Sequence, residues 1–160
     1  MRWIWIDKFT QFESKVSATA IKNVSLAEEH LHDLYPAFPI VPNSLIIEGM
    51  AQTAGILVGE ARNFAEKVVL AKIGKAVFHR LVRPGETITY HARIEQLSEQ
   101  GASTSGTVTV GQDAVAEIEI MFSHIDQNMS GMQFPKHNFV FTEQFASLLS
   151  SYKDTLKVSL

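Results

Sequence analysis

The chain has 160 residues, 46% hydrophobic and 19% charged, and a chain of that size buries about two-thirds of the surface its unfolded form exposes, enough for the core of one domain. Fourteen Lys and Arg against seventeen Asp and Glu leave a net charge of −3, with no concentrated basic stretch, which argues against binding nucleic acid through phosphate neutralisation. The lack of cysteine excludes a disulfide scaffold, a thiolate metal site and a cysteine nucleophile, so chemistry falls to histidines, carboxylates, hydroxyls and backbone amides.

The opening MRWIWIDKF reaches Asp7 and Lys8 too soon to hold the apolar core of a signal peptide. Its Trp3, Ile4, Trp5, Ile6 alternation reads as a strand or edge packing element rather than a ligand platform. Residues 12–24, FESKVSATAIKNV, are predicted as the first strand. The longest charge-free run, Leu34 to Ile47, contains Pro36, Pro39 and Pro42 and stops at Glu48, so it is no spanning helix of about 20 residues. A cytoplasmic protein without a membrane span is expected.

Ser44 to about Phe64 carries no proline and predicts a helix of about 30 Å at 1.5 Å per residue, capped by Asn43 or Ser44. No residue between Glu48 and Glu60 is charged, so the helix is apolar nearly all round and should be buried by the rest of the chain. Gly49, Gly55 and Gly59 cost about 1 kcal/mol each against alanine, which points to neighbours packed too closely for a side chain.

Beyond the helix, Val68 to His79 reads as a strand and Arg83-Pro84-Gly85-Glu86 as a turn. Thr87 to Glu95 alternates, with Ile88, Tyr90, Ala92 and Ile94 on one face. Ser103 to Val110 is rich in Thr and Val, and Ala116 to Phe122 places Ile118, Ile120 and Phe122 inward and Glu117 and Glu119 outward. Gly101 and Gly111-Gln112-Asp113 punctuate these strands. Strand, loop, long helix and four strands give an α+β domain, a mostly antiparallel sheet wrapped around one central helix. It is assigned to residues 1–125. Residues 126–160 read as a polar linker, centred on Gln127 to Gln133, and an amphipathic helix with Phe145, Leu148, Leu149 and Tyr152 on one side. That helix docks on the domain or serves as an oligomer contact.

Glu48 is the one carboxylate near the start of this apolar helix. An acid there is favoured by a few tenths to 1 kcal/mol through the helix dipole; as a functional group it is a desolvated carboxylate suited to acid–base work. Gln52, at i+4, shares its face and can orient it. The proline-spaced segment Tyr35 to Pro42 is either a rigid connection or one wall of an acyl pocket, lined by Phe38, Ile40, Ile46, Ile47 and Met50. In the second case the free N–H groups at the helix start offer a hole for a thioester oxyanion. His30 and His32 could share an ion only in an extended segment. His79, His91, His124 and His137 show no ligand spacing, so no metal and no cofactor are expected. Neither a glycine-rich phosphate loop nor a Gly-x-Ser-x-Gly elbow occurs.

The pattern Leu34-Tyr35-Pro36-x-x-Pro39-x-x-Pro42-x-x-Leu45-x-x-Glu48-x-x-Ala51-Gln52 resembles the central motif of the hot-dog-fold (3R)-hydroxyacyl-[acyl-carrier-protein] dehydratases of fatty-acid synthesis. Lys75 to Phe78, Val82 to Glu86 and Val115 to Phe122 look like strands of the same family, and the resemblance covers roughly residues 3 to 123. It implies a hot-dog fold and removal of water from a 3-hydroxyacyl thioester. In that family an imidazole and a carboxylate from two subunits transfer the protons, and helix-start amides hold the thioester oxygen. Partners implied are acyl carrier protein or another acyl thioester, and a second copy in a homodimer or dimer-based oligomer.

Carried over by position, Glu48 takes the carboxylate role, with Gln52 beside it. Leu34 stands where the motif has histidine, and Asn43 where it has the glycine after Pro42. Leu34, Tyr35, Phe38, Pro42, Asn43, Ile47 and Gln52 are then expected around the substrate. His32, two residues before the missing imidazole, and His30 are the substitutes considered, His32 first because an extended segment turns residues 32 and 34 to the same side. A thioesterase on the same fold, or a non-catalytic acyl-binding or partner subunit, are the alternatives.

Overall fold

The computed structural model describes residues 3–125, 140–141 and 143–158. Among these residues six strands form one antiparallel sheet: β1 (Lys8–Glu13), β2 (Ser17–Asn23), β3 (Val68–Phe78), β4 (Thr87–Leu97), β5 (Gly101–Val110) and β6 (Asp113–His124), in the order β1-β2-β4-β5-β6-β3. Among the described residues three helices accompany them: a single turn α1 (His30–Asp33), the long α2 (Asn43–Glu60) and the C-terminal α3 (Glu143–Val158). The sheet wraps α2, the α+β arrangement expected. Among the described residues no helix is long and apolar enough to cross a membrane.

Alternation decides the inner face. Ile88, Tyr90 and Ala92 of β4 and Ile118 and Ile120 of β6 are buried, while Glu117 and Glu119 point outward, as period-two patterning requires. Against this face α2 buries Ile46, Met50, Thr53 and Leu57, spaced by three and four residues on one side of the helix. The close approach foreseen at the glycines occurs at two of the three. A Cβ on Gly49 would stand 2.7 Å from Trp5 Cδ1 and nearer still to the Tyr90 ring, and one on Gly59 would stand 2.5 Å from Phe141 Cζ. At Gly55 the nearest atom, Phe122 Cε1, is 3.4 Å away, an ordinary contact. Gly55→Ala is therefore expected to raise stability by up to about 1 kcal/mol through helix propensity, read as a higher midpoint in chemical denaturation.

Three local readings are corrected. The segment 12–24 is a hairpin, not one strand: Val16 N–H donates to the Glu13 carbonyl at 3.0 Å and Lys15 takes φ 65°. A lysine fills the left-handed turn position that glycine or asparagine usually marks, so no punctuation signals the break. α2 ends at Glu60, followed by a turn in which Asn63 and Phe64 have positive φ. Gly101 is the first residue of β5 rather than a turn; the turn is Ser98–Gln100, where Ser98 Oγ accepts from the N–H groups of Gln100 and Gly101.

The linker expected at 127–133 and His137 lie outside the described residues. α3 lies on β1, with the Phe12 N–H donating to the Tyr152 hydroxyl at 3.2 Å, and it buries Phe145 and Leu149. At the other margin β3 pairs only with β6 among the described residues, and Leu70, Ile73 and Val77 are 40–42% exposed along that edge.

Candidate active site

Glu48 is in the second turn of α2, half-buried. No acid occupies the first turn, where the dipole acts most strongly, so dipole compensation does not account for its place. Neither Asn43 nor Ser44 caps the helix. Pro42 is the N-cap residue, and its carbonyl accepts from Leu45 N–H at 2.9 Å and Ile46 N–H at 3.3 Å. Fixed φ lets proline enter a helix without a side-chain cap, and Asn43 is already helical and exposed.

One turn on, Gln52 is 7% exposed and fully committed. Its Oε1 accepts the Trp5 N–H at 2.8 Å, and its Nε2 donates to the Trp3 carbonyl at 3.1 Å and to Glu48 Oε1 at 2.8 Å. The Trp3 carbonyl can only accept and the Trp5 N–H can only donate, so the backbone dictates which end of the amide faces Glu48. Trp5 is in turn held by Nε1–H donation to the Tyr90 hydroxyl at 2.9 Å, and burial pushes that phenol well above its ordinary range. The chain Tyr90–Trp5–Gln52–Glu48 thus ties one carboxylate oxygen to the core. Among the described residues no donor reaches Oε2.

Glu48 and Gln52 open on a cleft of about 350 Å³ between α2 and β3. Ala51, Gly55 and Ile56 of α2, Val69 and Leu70 of β3, and Phe122 of β6 line it. Trp3 flanks it at 54% exposure, so this tryptophan is part of the pocket wall and not only an edge element. Val140, Phe141 and Phe145 complete the lining; the motif pattern carries no signal for them. A few fixed polar groups in a concave apolar pocket are the usual form of a small-molecule site.

The other expected site residues lie elsewhere in the chain. Leu34, Tyr35 and Phe38 are 56%, 47% and 47% exposed on the loop after α1, and none lines the cleft. Phe38 N–H donates to the Tyr35 carbonyl at 3.0 Å, Ala37 has φ 66°, and the Arg83 guanidinium stacks 5.1 Å over the Phe38 ring. Val41 N–H donates to the Val82 carbonyl at 2.9 Å, anchoring the proline segment to the Arg83–Glu86 turn. In that turn the Arg80 hydrogen bond holds the Glu86 carboxyl below the usual carboxylate range. Pro42 is buried and Ile47 half-buried against the core. Ile46 and Met50 were expected to line the pocket but face the sheet, at 0% and 1% exposure, because they fall on the opposite side of α2 from Glu48 and Gln52.

His32 does not meet the geometry on which it was considered. Residues 30–33 are helical and Leu34 continues with αR angles, so side chains 32 and 34 diverge by about 200° instead of sharing a side. The exposed His32 ring donates through Nε2 to the Leu26 carbonyl. His30 packs edge-on against Trp5 at 5.3 Å, and burial lowers its pKa, partly offset by Glu28. One chain therefore brings together Glu48, Gln52 and the cleft, and leaves the Leu34–Phe38 loop on its surface.

Residues 3–119 match the FabA-like domain family. The 3-hydroxyacyl-[acyl-carrier-protein] dehydratase FabZ of Pelotomaculum thermopropionicum is 33% identical over 122 residues, 76% of this chain and 87% of that protein. The protein of the same name from Rickettsia rickettsii (strain Sheila Smith) is 37% identical over 119 residues, 72% of this chain and 81% of that protein. Among solved structures, the dehydratase heterocomplex ApeI:P from Xenorhabdus doucetiae superposes with a TM-score of 0.65 at 14% identity, covering 78% of this chain and 85% of that one; at that identity the likeness is one of fold.

Proposed function

We propose, since the chain belongs to the FabA-like domain family, that it is a dehydratase of fatty-acid biosynthesis removing water from a 3-hydroxyacyl thioester, with Glu48 as its proton-transfer group. The observation that carries this is the Glu48 carboxylate, held through Oε1 by a backbone-locked Gln52 at an apolar cleft of acyl dimensions. An acyl chain lying in the cleft brings C2 and C3 of the thioester to Oε2. The carboxylate takes the C2 proton; the pair of electrons left on C2 forms the C2–C3 double bond. The C3–O bond breaks as the carboxylic acid returns the proton to the departing hydroxyl, so that water leaves and Glu48 is again ionised.

The substrate carrier in this reading is acyl carrier protein, named in the relatives' own descriptions, and the reaction is placed in the cytoplasm. The working unit is a homodimer. Support comes from the exposed apolar loop Leu34–Phe38 and from the partly apolar edge of β3, which no other strand among the described residues pairs; a second copy would cover both. No cofactor is required for a dehydration run by proton transfer alone.

Incubation with a 3-hydroxyacyl carrier-protein thioester should give the trans-2-enoyl product. No conversion above an enzyme-free control would overturn the proposal, and free thiol in place of enoyl product would make the chain a thioesterase. Leu34 cannot transfer a proton, and a positioned acid–base group contributes typically 10²–10⁴-fold. Leu34→His is accordingly expected to raise kcat, by up to about 10²-fold. The exposure of the same loop also favours a second reading, a chain that pairs with a histidine-bearing homologue; activity appearing only on mixing with such a homologue would select it.

A further inference from the structure

We infer that the C-terminal segment, beyond the family domain, is the far wall of the acyl cleft and sets the length of acyl chain the protein accepts. The inference rests on the reading of the cleft as an acyl-thioester site. The family match ends at residue 119, yet Val140, Phe141 and Phe145 line the same cleft as Glu48.

Their place is specified from both sides. Phe141 sits edge-on to Phe64, ring centroids 4.9 Å apart, and its ring occupies the space above Gly59, where a Cβ would come within 2.5 Å of Cζ. Phe145 is 8% exposed and part of the continuous core. An aromatic wall built into the core in this way cannot swing aside at low cost, since interiors are close-packed.

Along α2 the cleft is laid out in order. Glu48, Gln52, Gly55 and Gly59 follow one another at i+3 or i+4 on one helix side, polar at the first two and without side chains at the last two. From Glu48 to Gly59 is 11 residues, about 16 Å of helix at 1.5 Å per residue. The carboxylate end is flanked by the half-exposed Trp3; Phe141, which covers Gly59, and Phe145 line the cleft beyond Gly55. With the thioester reacting at Glu48, the acyl chain runs over the bare stripe at Gly55 and its terminal methyl meets the phenyl rings. A volume of about 350 Å³ is near the lower end of the ~300–1,000 Å³ range of small-molecule sites, so the substrates are short to medium straight-chain acyl groups.

The test is a length profile on the full chain. Straight-chain 3-hydroxyacyl thioesters, lengthened two carbons at a step, are compared by kcat/KM, and the matching non-hydroxylated acyl thioesters by calorimetric titration, which needs no turnover. Wild type should show a sharp upper limit in both. Phe141→Ala and Phe145→Ala should move that limit to longer chains, with a gain of about fourfold for each methylene newly accommodated. Val140→Trp should move it to shorter ones. The readout is the long-to-short ratio within each variant, and a cooperative thermal transition confirms that each is folded. An unchanged limit in Phe141→Ala and Val140→Trp overturns the inference while the dehydratase reading stands. Graded, length-limited binding that shifts in the variants without any dehydration supports the inference and sinks the reaction. Absence of binding at every length overturns both.

Discussion

Glu48→Gln is expected to lower kcat for dehydration by about 10²–10⁴-fold, with KM changed far less. The substitution is nearly isosteric, and a glutamine carbonyl at position 48 still accepts the Gln52 Nε2–H that the carboxylate accepts at 2.8 Å. Gln52 therefore keeps its bonds to Trp3 and Trp5, and the thermal midpoint should scarcely move. What disappears is the basic oxygen at the cleft, since an amide neither takes the C2 proton nor returns it to the hydroxyl. On the proposed reading the acyl chain lies along Ala51, Gly55 and Phe122 of the cleft, which the change does not touch. Steady-state kinetics with a 3-hydroxyacyl thioester within the accepted length range checks this. Full activity in the variant would show that the proton passes through another group and would return attention to the histidines.

The second large effect is on stability and runs against intuition. Gly49→Ala replaces the second-poorest helix former by the best and would gain about 1 kcal/mol in an open helix. Here it should lose about 2 kcal/mol or more, because a Cβ would press on the Tyr90 ring and lie 2.7 Å from Trp5 Cδ1. Neither neighbour can give way: Tyr90 is 0% and Trp5 2% exposed, and they are bonded to each other at 2.9 Å. Overpacking of this kind costs typically 1–3 kcal/mol, occasionally more. For a chain of this size the midpoint should fall by roughly 4–8 °C. Trp5 also holds Gln52, so the same change should loosen the amide that positions Glu48 and lower kcat as well. Gly55→Ala, six residues along the same helix, should move stability the other way. The opposite signs at two glycines of one helix separate close approach from propensity.

Most of the fold was legible because its signals are local. Ile88, Tyr90 and Ala92 alternate with polar residues, Ile118 and Ile120 with glutamates, and a proline-free apolar run follows three spaced prolines; each pattern reports a period of two or of 3.6 within a few residues. The hairpin at Lys15 was not legible, since the residue in the left-handed position carries no turn signal. Nor was the end of α2, where the turn at Asn63 and Phe64 is set by packing under Phe141.

Of the candidate site, the sequence by itself determined the ingredients: a carboxylate near the start of a helix that carries no further charge until Glu60, a glutamine four residues on, no cysteine, and leucine where the resembling motif has histidine. Residue identity and spacing along one helix suffice for that, because i and i+4 meet whatever the rest of the chain does. Only the tertiary structure decided what surrounds them. That Trp3 and Trp5 clamp Gln52 across 47 and 49 residues, that Ile46 and Met50 turn to the sheet while Ala51 and Gly55 face the cleft, and that Phe141 arrives from the C-terminal segment to cover Gly59 are contacts between positions far apart in sequence. Such contacts depend on how the sheet curves around the helix and where the chain returns, and no local periodicity encodes either.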